Sequence, residues 1–492
     1  MPRSSGMGKS TRRAWFGSAA AMSMRAAWTA SLGRSLASSL PQYLAGLGLL
    51  GTSGSGWLQR LAHATDRESS TATGPARRCV LLWMAGGPSQ LDTFDPKPGH
   101  ANGGPFRAID TATPGIRVCE HLPKLAKLAQ HLAIVRGMST KEGDHGRGTQ
   151  SMHTGRPPQG PIRYPAIGAV LGKELGESLA ASGVPSYVSI SPFRTFSPSA
   201  FESGFLGPRF APLTVAPLDQ PGSAGAADAA GFARLPVEDL APPGDVPDRR
   251  FAAREALWGS LQQRFLGKHP SAGPQAQDTV YRNALRLMRH PVARAFALEE
   301  ETASVREAYG KGRFGQGCLL ARRLLERGVP FVEVALAGGE NGLGWDTHAN
   351  NFPAVQTLAS ELDAGWSRLL IELGERGLLE STTIVWMGEF GRTPKINTSA
   401  GRDHFPAAWT CVLSGGGVRG GTVHGATSED GMEVRDGKTD VGDLLATVCA
   451  AVGLDPQSEN VSPEGRPIKL AEGRVMDKLV QDFRVAAPEK ME

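Results

Sequence analysis

Residues Thr383 to Pro406 read TIVWMGEFGRTPKINTSAGRDHFP. The first five, Thr383 to Met387, form an apolar run of the kind a strand shows when both of its faces are buried. The run stops at a glycine-flanked carboxylate, Gly388-Glu389-Phe390-Gly391. An adjacent carboxylate and imidazole, Asp403-His404, follow before Pro406 and a second apolar run. In an open parallel sheet, ligands bind beyond the carboxyl ends of the strands. A carboxylate one residue past such an end, with an Asp-His pair nearby, is a place to hold a hard or borderline cation. A loop of solvated charges is the other reading of the same residues.

The surrounding chain supplies the sheet to which this strand belongs. Cys79 to Met84 is a continuous apolar run closed by Gly86-Gly87-Pro88. Ala133 to Val135, Val329 to Ala337 and Thr410 to Leu413 are further strand candidates. Helical spacing occupies Leu122 to Leu132, Cys318 to Arg327 and Val441 to Val452. It is strongest where Leu358, Leu362, Trp366, Leu369, Leu370 and Leu373 recur every three or four residues before Gly377. Strands alternating with helices predict an α/β fold with a mostly parallel sheet covered on both faces. Residues 191–250 are rich in Pro, Ala, Gly and Asp, and helical patterns fill about 251–308. We read 191–310 as an insertion or lid region on one domain spanning 75–475, with 476–492 as a tail.

The pI near 9.0 invites a nucleic-acid reading, which the distribution of charge excludes. Seven basic residues and no acidic one lie in residues 1–64, whereas the rest of the chain carries 46 basic and 48 acidic residues. That first segment reads as an export signal of the twin-arginine type: Ser10-Thr11-Arg12-Arg13-Ala14-Trp15-Phe16, an apolar stretch over Tyr43 to Gly51, and Ala62-His63-Ala64 as a cleavage site. The expected location is periplasmic or extracellular. No long apolar run follows, so no transmembrane span is expected in the mature chain. Cys79, Cys119, Cys318, Cys411 and Cys449 show no paired spacing and hence no zinc-ribbon or thioredoxin signature.

Four polar clusters each follow a predicted strand. They are Gly86–Asp95 with Asp92, Gly143-Asp144-His145-Gly146 leading to Arg156, Gly344–Asn350 with Asp346 and His348, and the opening segment. Together they place two Asp/His pairs, Glu389 and a third imidazole, His145, at successive strand ends. Carboxylate and imidazole donors suit Zn²⁺, Mn²⁺ and Fe, and Ca²⁺ less well. Two such groups could hold two metals about 4 Å apart, the arrangement used for in-line displacement at phosphorus. The Gly-rich Ser414–Gly421 lacks the Lys-Ser/Thr ending of a phosphate loop, and no G-x-S-x-G elbow is present.

The order of these segments resembles the alkaline-phosphatase-like superfamily, which includes the sulfatases. More narrowly, GGPSQLDTFDPKP, GWDTHANN, GEFGRTP and GRDHFP resemble the exported domain-of-unknown-function 1501 family of that superfamily. The resemblance implies a three-layer sandwich and a divalent metal ion (Zn, Mn or Ca) held by Asp346, His348, Glu389 and His404, with Asp92 and Asp403 added. It puts His145 at the position of the sulfatase nucleophile, and offers Arg156 or Arg392 to neutralise an anionic ester. Thr93, Ser139 and Thr140 are other nucleophile candidates. The implied activity is metal-assisted hydrolysis of phosphate or sulfate esters, on a small molecule or a glycan. The alternative is a catalytically degenerate metal- or glycan-binding protein on the same scaffold. Three departures bear on that choice. Glu389-Phe390 stands where sulfatases carry Asp-His, Gly86-Gly87 replaces their paired carboxylates, and no Cys-x-Pro-x-Arg motif exists.

Overall fold

The computed structural model describes residues 77–176, 183–218, 227–237, 239–242, 244–338 and 342–481. The proposed export signal lies outside the described residues. Eight principal strands make one sheet: β1 (Arg78–Met84), β2 (Leu132–Met138), β3 (Tyr187–Ile190), β4 (Leu213–Val215), β5 (Phe331–Leu336), β6 (Thr382–Met387), β7 (Trp409–Gly415) and β8 (Thr422–His424). Their spatial order is β8-β2-β7-β6-β1-β5-β3-β4. All neighbours pair parallel except at β7, which runs antiparallel to both β2 and β6. The expected fold class, mostly parallel with helices on both faces, is the one observed.

The two faces of β1 show why. Val80, Leu82 and Met84 point into one core with helices α5 (Arg313–Glu326) and α6 (Asn351–Glu375). Cys79, Leu81 and Trp83 point into the other, with α1 (His145–Thr154), α2 (Ile167–Gly176) and α7 (Val441–Ala451). Every one of these β1 side chains is at most 2 % exposed. Burying a large aliphatic side chain contributes roughly 1.5–3 kcal/mol, so a strand apolar on both faces is held from both sides.

Three segments differ from the sequence reading. Leu122 to Leu132 is not one helix but a single turn, Pro123–Ala126, and a 3₁₀ turn, Ala129–His131. The Asp363 carboxylate on α6 accepts the N–H groups of Lys124 and Leu125, so a tertiary contact fixes that turn where it is. Within 191–310, Leu213–Val215 joins the sheet as its edge strand, and α3 (Asp248–Lys268) and α4 (Ala272–Arg289) form a peripheral hairpin. The folded body also continues past 475, since Met476, Leu479 and Val480 are buried and Arg419 N–H donates to Leu479 O (2.8 Å). Among the described residues no helix is long and apolar enough to cross a membrane.

Candidate metal centre

Strands β1, β5 and β6 are adjacent and parallel, so their carboxyl ends deliver three loops to one edge of the sheet. The approach is close because Gly86 and Gly87 permit it. Both have positive φ (110° and 80°). A Cβ on Gly86 would lie 2.4 Å from Asp346 N, and one on Gly87 would lie 2.7 Å from Phe390 O. Those contacts exclude any larger residue, so the glycine pair is what lets the Asp346 and Glu389 loops close over the end of β1.

Asp346 is the centre of the cluster. Its Oδ1 lies 3.3 Å from His145 Nε2, 3.1 Å from His348 Nε2, 3.2 Å from His404 Nε2 and 2.6 Å from Arg392 Nη2. His145, Asp346 and His404 have the mutual spacing of a metal-binding trio. Each imidazole is oriented from behind. His404 Nδ1 donates to Gly143 O (2.7 Å); a carbonyl can only accept, so the proton is on Nδ1 and Nε2 faces the cluster. His348 Nδ1 is 2.8 Å from Asp403 Oδ1, and His145 Nδ1 is 2.7 Å from Glu389 Oε1. Glu389 Oε1 is fixed in turn by Gly86 N–H (2.9 Å). His348 Nε2 and His404 Nε2 lie only 3.1 Å apart. Two imidazoles protonated at Nδ1 thus aim their remaining nitrogens at one another and at a carboxylate.

Phe390, where the sulfatase pattern has an imidazole, is fully buried. Its ring packs 5.1 Å from His145 and 4.6 Å from His404, a wall against which both imidazoles are set. On the outer side Phe196 lies over His145 (centroids 6.2 Å apart, 27° between planes). Burial opposes protonation of His145, but its hydrogen bond to Glu389 and its close contact with Asp346, with the charges of both, outweigh that and push the imidazole up to about 9. Burial likewise opposes ionisation of Asp346. The close contacts with His145 and His404 and the charge of Arg392 prevail, and hold the carboxyl well below the usual range. At 3.3 Å the His145 Nε2 contact with Asp346 lacks hydrogen-bond alignment, so this buried nitrogen has no hydrogen-bond partner, and neither does Glu389 Oε2. A buried imidazole nitrogen without a partner, facing two further imidazoles and a carboxylate, fits a divalent cation of the Zn²⁺ or Mn²⁺ type better than Ca²⁺.

Several expected site residues are elsewhere or otherwise engaged. Asp92 is fully buried and accepts from Arg402 Nε (2.7 Å) and Nη2 (3.1 Å) and from Asn351 Nδ2 (2.8 Å), which occupies both oxygens. It is therefore an ion-pair partner, not a member of the metal trio. Arg156 pairs with Glu472 and lies over Tyr164. It stands beyond the far end of α1 from His145, about 15 Å along the axis at 1.5 Å per residue. Arg392 is fully buried and donates to Gly87 O (3.0 Å), to Gly86 O, to Arg402 O (3.3 Å) and to Asp346. Its guanidinium braces the glycine turn and is not available to an ester. Glu389 contacts His145 and Gly86, and Asp403, half-exposed, contacts His348 and Asn397 Nδ2 (3.2 Å), so both orient imidazoles. The Thr93 hydroxyl donates to Ser89 O (2.7 Å), Ser139 N–H to Thr439 O (2.8 Å) and Thr140 N–H to Pro406 O (2.7 Å).

Arg402 and Asn351 were not singled out in the sequence. Arg402 N–H donates to Thr347 O (2.9 Å), and Thr347 Oγ1 donates to Asn351 Oδ1 (2.6 Å), so a buried network ties the Asp346-Thr347-His348 and Arg402-Asp403-His404 segments together. The available signal is Asp92 itself, a carboxylate in a loop at a strand end, which demands a cation if it is buried.

The fold and its strand-end cluster define an α/β protein with a His/Asp centre at the carboxyl edge of a mostly parallel sheet. The family described as "Protein of unknown function (DUF1501)" matches residues 76–480, and the chain belongs to it. No curated protein is similar to it in sequence. Among solved structures it is similar to the lipoteichoic acid synthase LtaP from Listeria monocytogenes (TM-score 0.37, 9 % identity, 79 % of this chain and 75 % of that one). It is also similar to the PsFucS1 sulfatase from Pseudoalteromonas sp. (0.37, 13 %, 82 % and 72 %). A third is a protein in the alkaline phosphatase superfamily from Vibrio parahaemolyticus (0.30, 10 %, 77 % and 67 %).

Proposed function

We propose that this is an exported, metal-dependent hydrolase of the sulfatase-like type, acting on phosphate or sulfate esters of a small molecule or glycan. The observation that carries the reading is the convergence of the Nε2 atoms of His145, His348 and His404 on Asp346 Oδ1, with each Nδ1 bonded outward. Imidazole ligands oriented by carboxylate and carbonyl partners are the usual support of a metal site. His145, Asp346 and His404 would hold the ion, with His348 as the most exposed donor. A bound divalent cation would supply Lewis acidity toward an ester oxygen and toward water.

The chain's own residues do the rest. Glu389 keeps the His145 proton on Nδ1, and Asp403 does the same for His348. Phe390 closes the inner side to water. His348 and Asp403, 46 % and 54 % exposed at their side chains, mark the side from which a substrate enters. Phe196 on the 191–310 region flanks that approach, which supports a role for this region in shaping access.

One observation favours a second reading, a metal- or glycan-binding protein without turnover. Arg156 and Arg392, the cations offered for an anionic ester, are both engaged elsewhere. Metal content of the purified protein and turnover of aryl phosphates and aryl sulfates decide between them. Hydrolysis that is lost in His404→Ala supports the hydrolase. Bound metal with no turnover of either ester supports the binding protein, and no bound metal removes the hydrolase and the metal-binding protein alike.

A further inference from the structure

Helix α3 is 21 residues long and has no buried residue. Such a helix is not held by a core of its own chain, because most helical stability comes from packing of an apolar face. Its inner side meets α4, where Trp258 lies 5.4 Å from Tyr281 and Glu255 pairs with Arg289. Its outer side is different. Arg250, Arg254, Leu257, Leu261, Arg264, Phe265 and Lys268 follow one another at three- and four-residue steps or as neighbours, and so share one face. All seven are exposed. Leu257, Leu261 and Phe265 are 60 %, 54 % and 47 % exposed, among the largest apolar exposures of the described residues.

Charge selects the occupant. The hairpin 248–289 holds eight basic and three acidic residues, and two of the acids, Glu255 and Asp278, are already paired with Arg289 and Arg282. Outside this hairpin and residues 1–64, acidic residues outnumber basic ones by 45 to 38. A cationic island thus stands on an acidic body, and its apolar ridge is flanked by cations on the same face. Two copies of this face would repel, and a nucleic acid has no use for a Leu-Leu-Phe ridge. An anionic lipid surface takes both features, cations at the headgroups and apolar side chains at the acyl boundary.

We infer that α3 is a peripheral docking surface for an anionic phospholipid bilayer, laid in the plane of the headgroups. The inference is independent of the metal centre. The test is co-sedimentation of the full chain with phosphatidylcholine vesicles, with and without about 30 % phosphatidylglycerol. Wild type should sediment with the anionic vesicles only, and release as salt rises from about 0.1 to about 0.5 M. Two variants, Arg250→Glu/Arg254→Glu and Leu257→Ser/Leu261→Ser/Phe265→Ser, should each weaken partitioning by about tenfold or more. Both sets are on the surface, so their thermal unfolding should match wild type, and the basic residues 1–64 remain in every sample. Failure of wild type to sediment overturns the proposal, as does sedimentation that either variant leaves unchanged. So does a concentration-dependent dimer that the apolar variant abolishes while vesicle binding persists.

Discussion

Asp346 and Asp92 each follow a central strand, β5 and β1, and each stands before a polar loop at the same edge of the sheet. Their surroundings are opposite. Asp92 is wholly buried, and the fork of Arg402 with the amide of Asn351 takes both of its oxygens. Asp346 keeps some exposure and gathers three imidazole nitrogens around one oxygen. A guanidinium presents paired donors that saturate a carboxylate, whereas imidazoles present single nitrogens that a cation can share. The difference separates a carboxylate that builds the site from one that forms it.

The largest expected effect lies on the building side. Asp92→Ala leaves Arg402 charged and buried without its partner, and should lower unfolding stability by about 3–5 kcal/mol. Urea denaturation measures it. Unchanged stability with lost metal would reverse the roles assigned to the two aspartates. On the other side, His404→Ala should lower metal affinity by more than about 100-fold, read by competition with a chelating dye. Its stability should change by about 1 kcal/mol or less, since the side chain is a quarter exposed and outside both cores.

Glu389→Gln sharpens the comparison further. The amide keeps the shape and leaves an oxygen for the Gly86 N–H, but removes the charge behind His145. Loss of such an orienting partner should weaken metal binding by about 10- to 100-fold. An effect as large as that of His404→Ala would make Glu389 a direct ligand.

The pH dependence follows from His145, whose imidazole is pushed up to about 9 in the folded metal-free chain. Its pKa is raised above the ordinary value of about 6.5. It therefore stabilises the metal-free fold fully below about pH 6.5, and that contribution is lost as pH rises through about 9. A cation needs the same nitrogen deprotonated, so metal affinity should rise over this window while metal-free stability falls. Thermal melts and metal titrations across the range check both signs. Parallel trends would remove His145 from the ligand set.

Much of this was legible because buried strands are written as unbroken apolar runs. Thr383 to Met387 and Cys79 to Met84 match strands Thr382–Met387 and Arg78–Met84. The long spacing from Leu358 to Leu373 falls inside Asn351–Glu375. What the sequence hides is pairing between loops. Arg402 precedes Asp403 in the chain, but its meeting with Asp92 depends on a fold that brings residues 310 positions apart into contact. The same holds for Gly143, whose carbonyl fixes His404, and for Phe390, whose role is visible only where two imidazoles lean on it. β4 was missed for a simpler reason. A three-residue strand set between Pro212 and Pro217 is too short to show a period.

The smallest expected effect belongs to Arg156, which the sequence offered as an anion clamp. Its pairing with Glu472 joins a mostly buried guanidinium to a carboxylate that is 58 % exposed, so solvent screens much of the attraction. Exposed pairs of this kind contribute about 0–1 kcal/mol. Arg156→Ala should therefore shift unfolding by about 1 kcal/mol or less and leave metal affinity at the wild-type value. Any ester turnover should keep its rate and substrate dependence, because α1 puts its whole length between this side chain and His145. A rise in KM confined to anionic substrates would show that the substrate reaches along that helix, and would extend the site well beyond the Asp346 cluster.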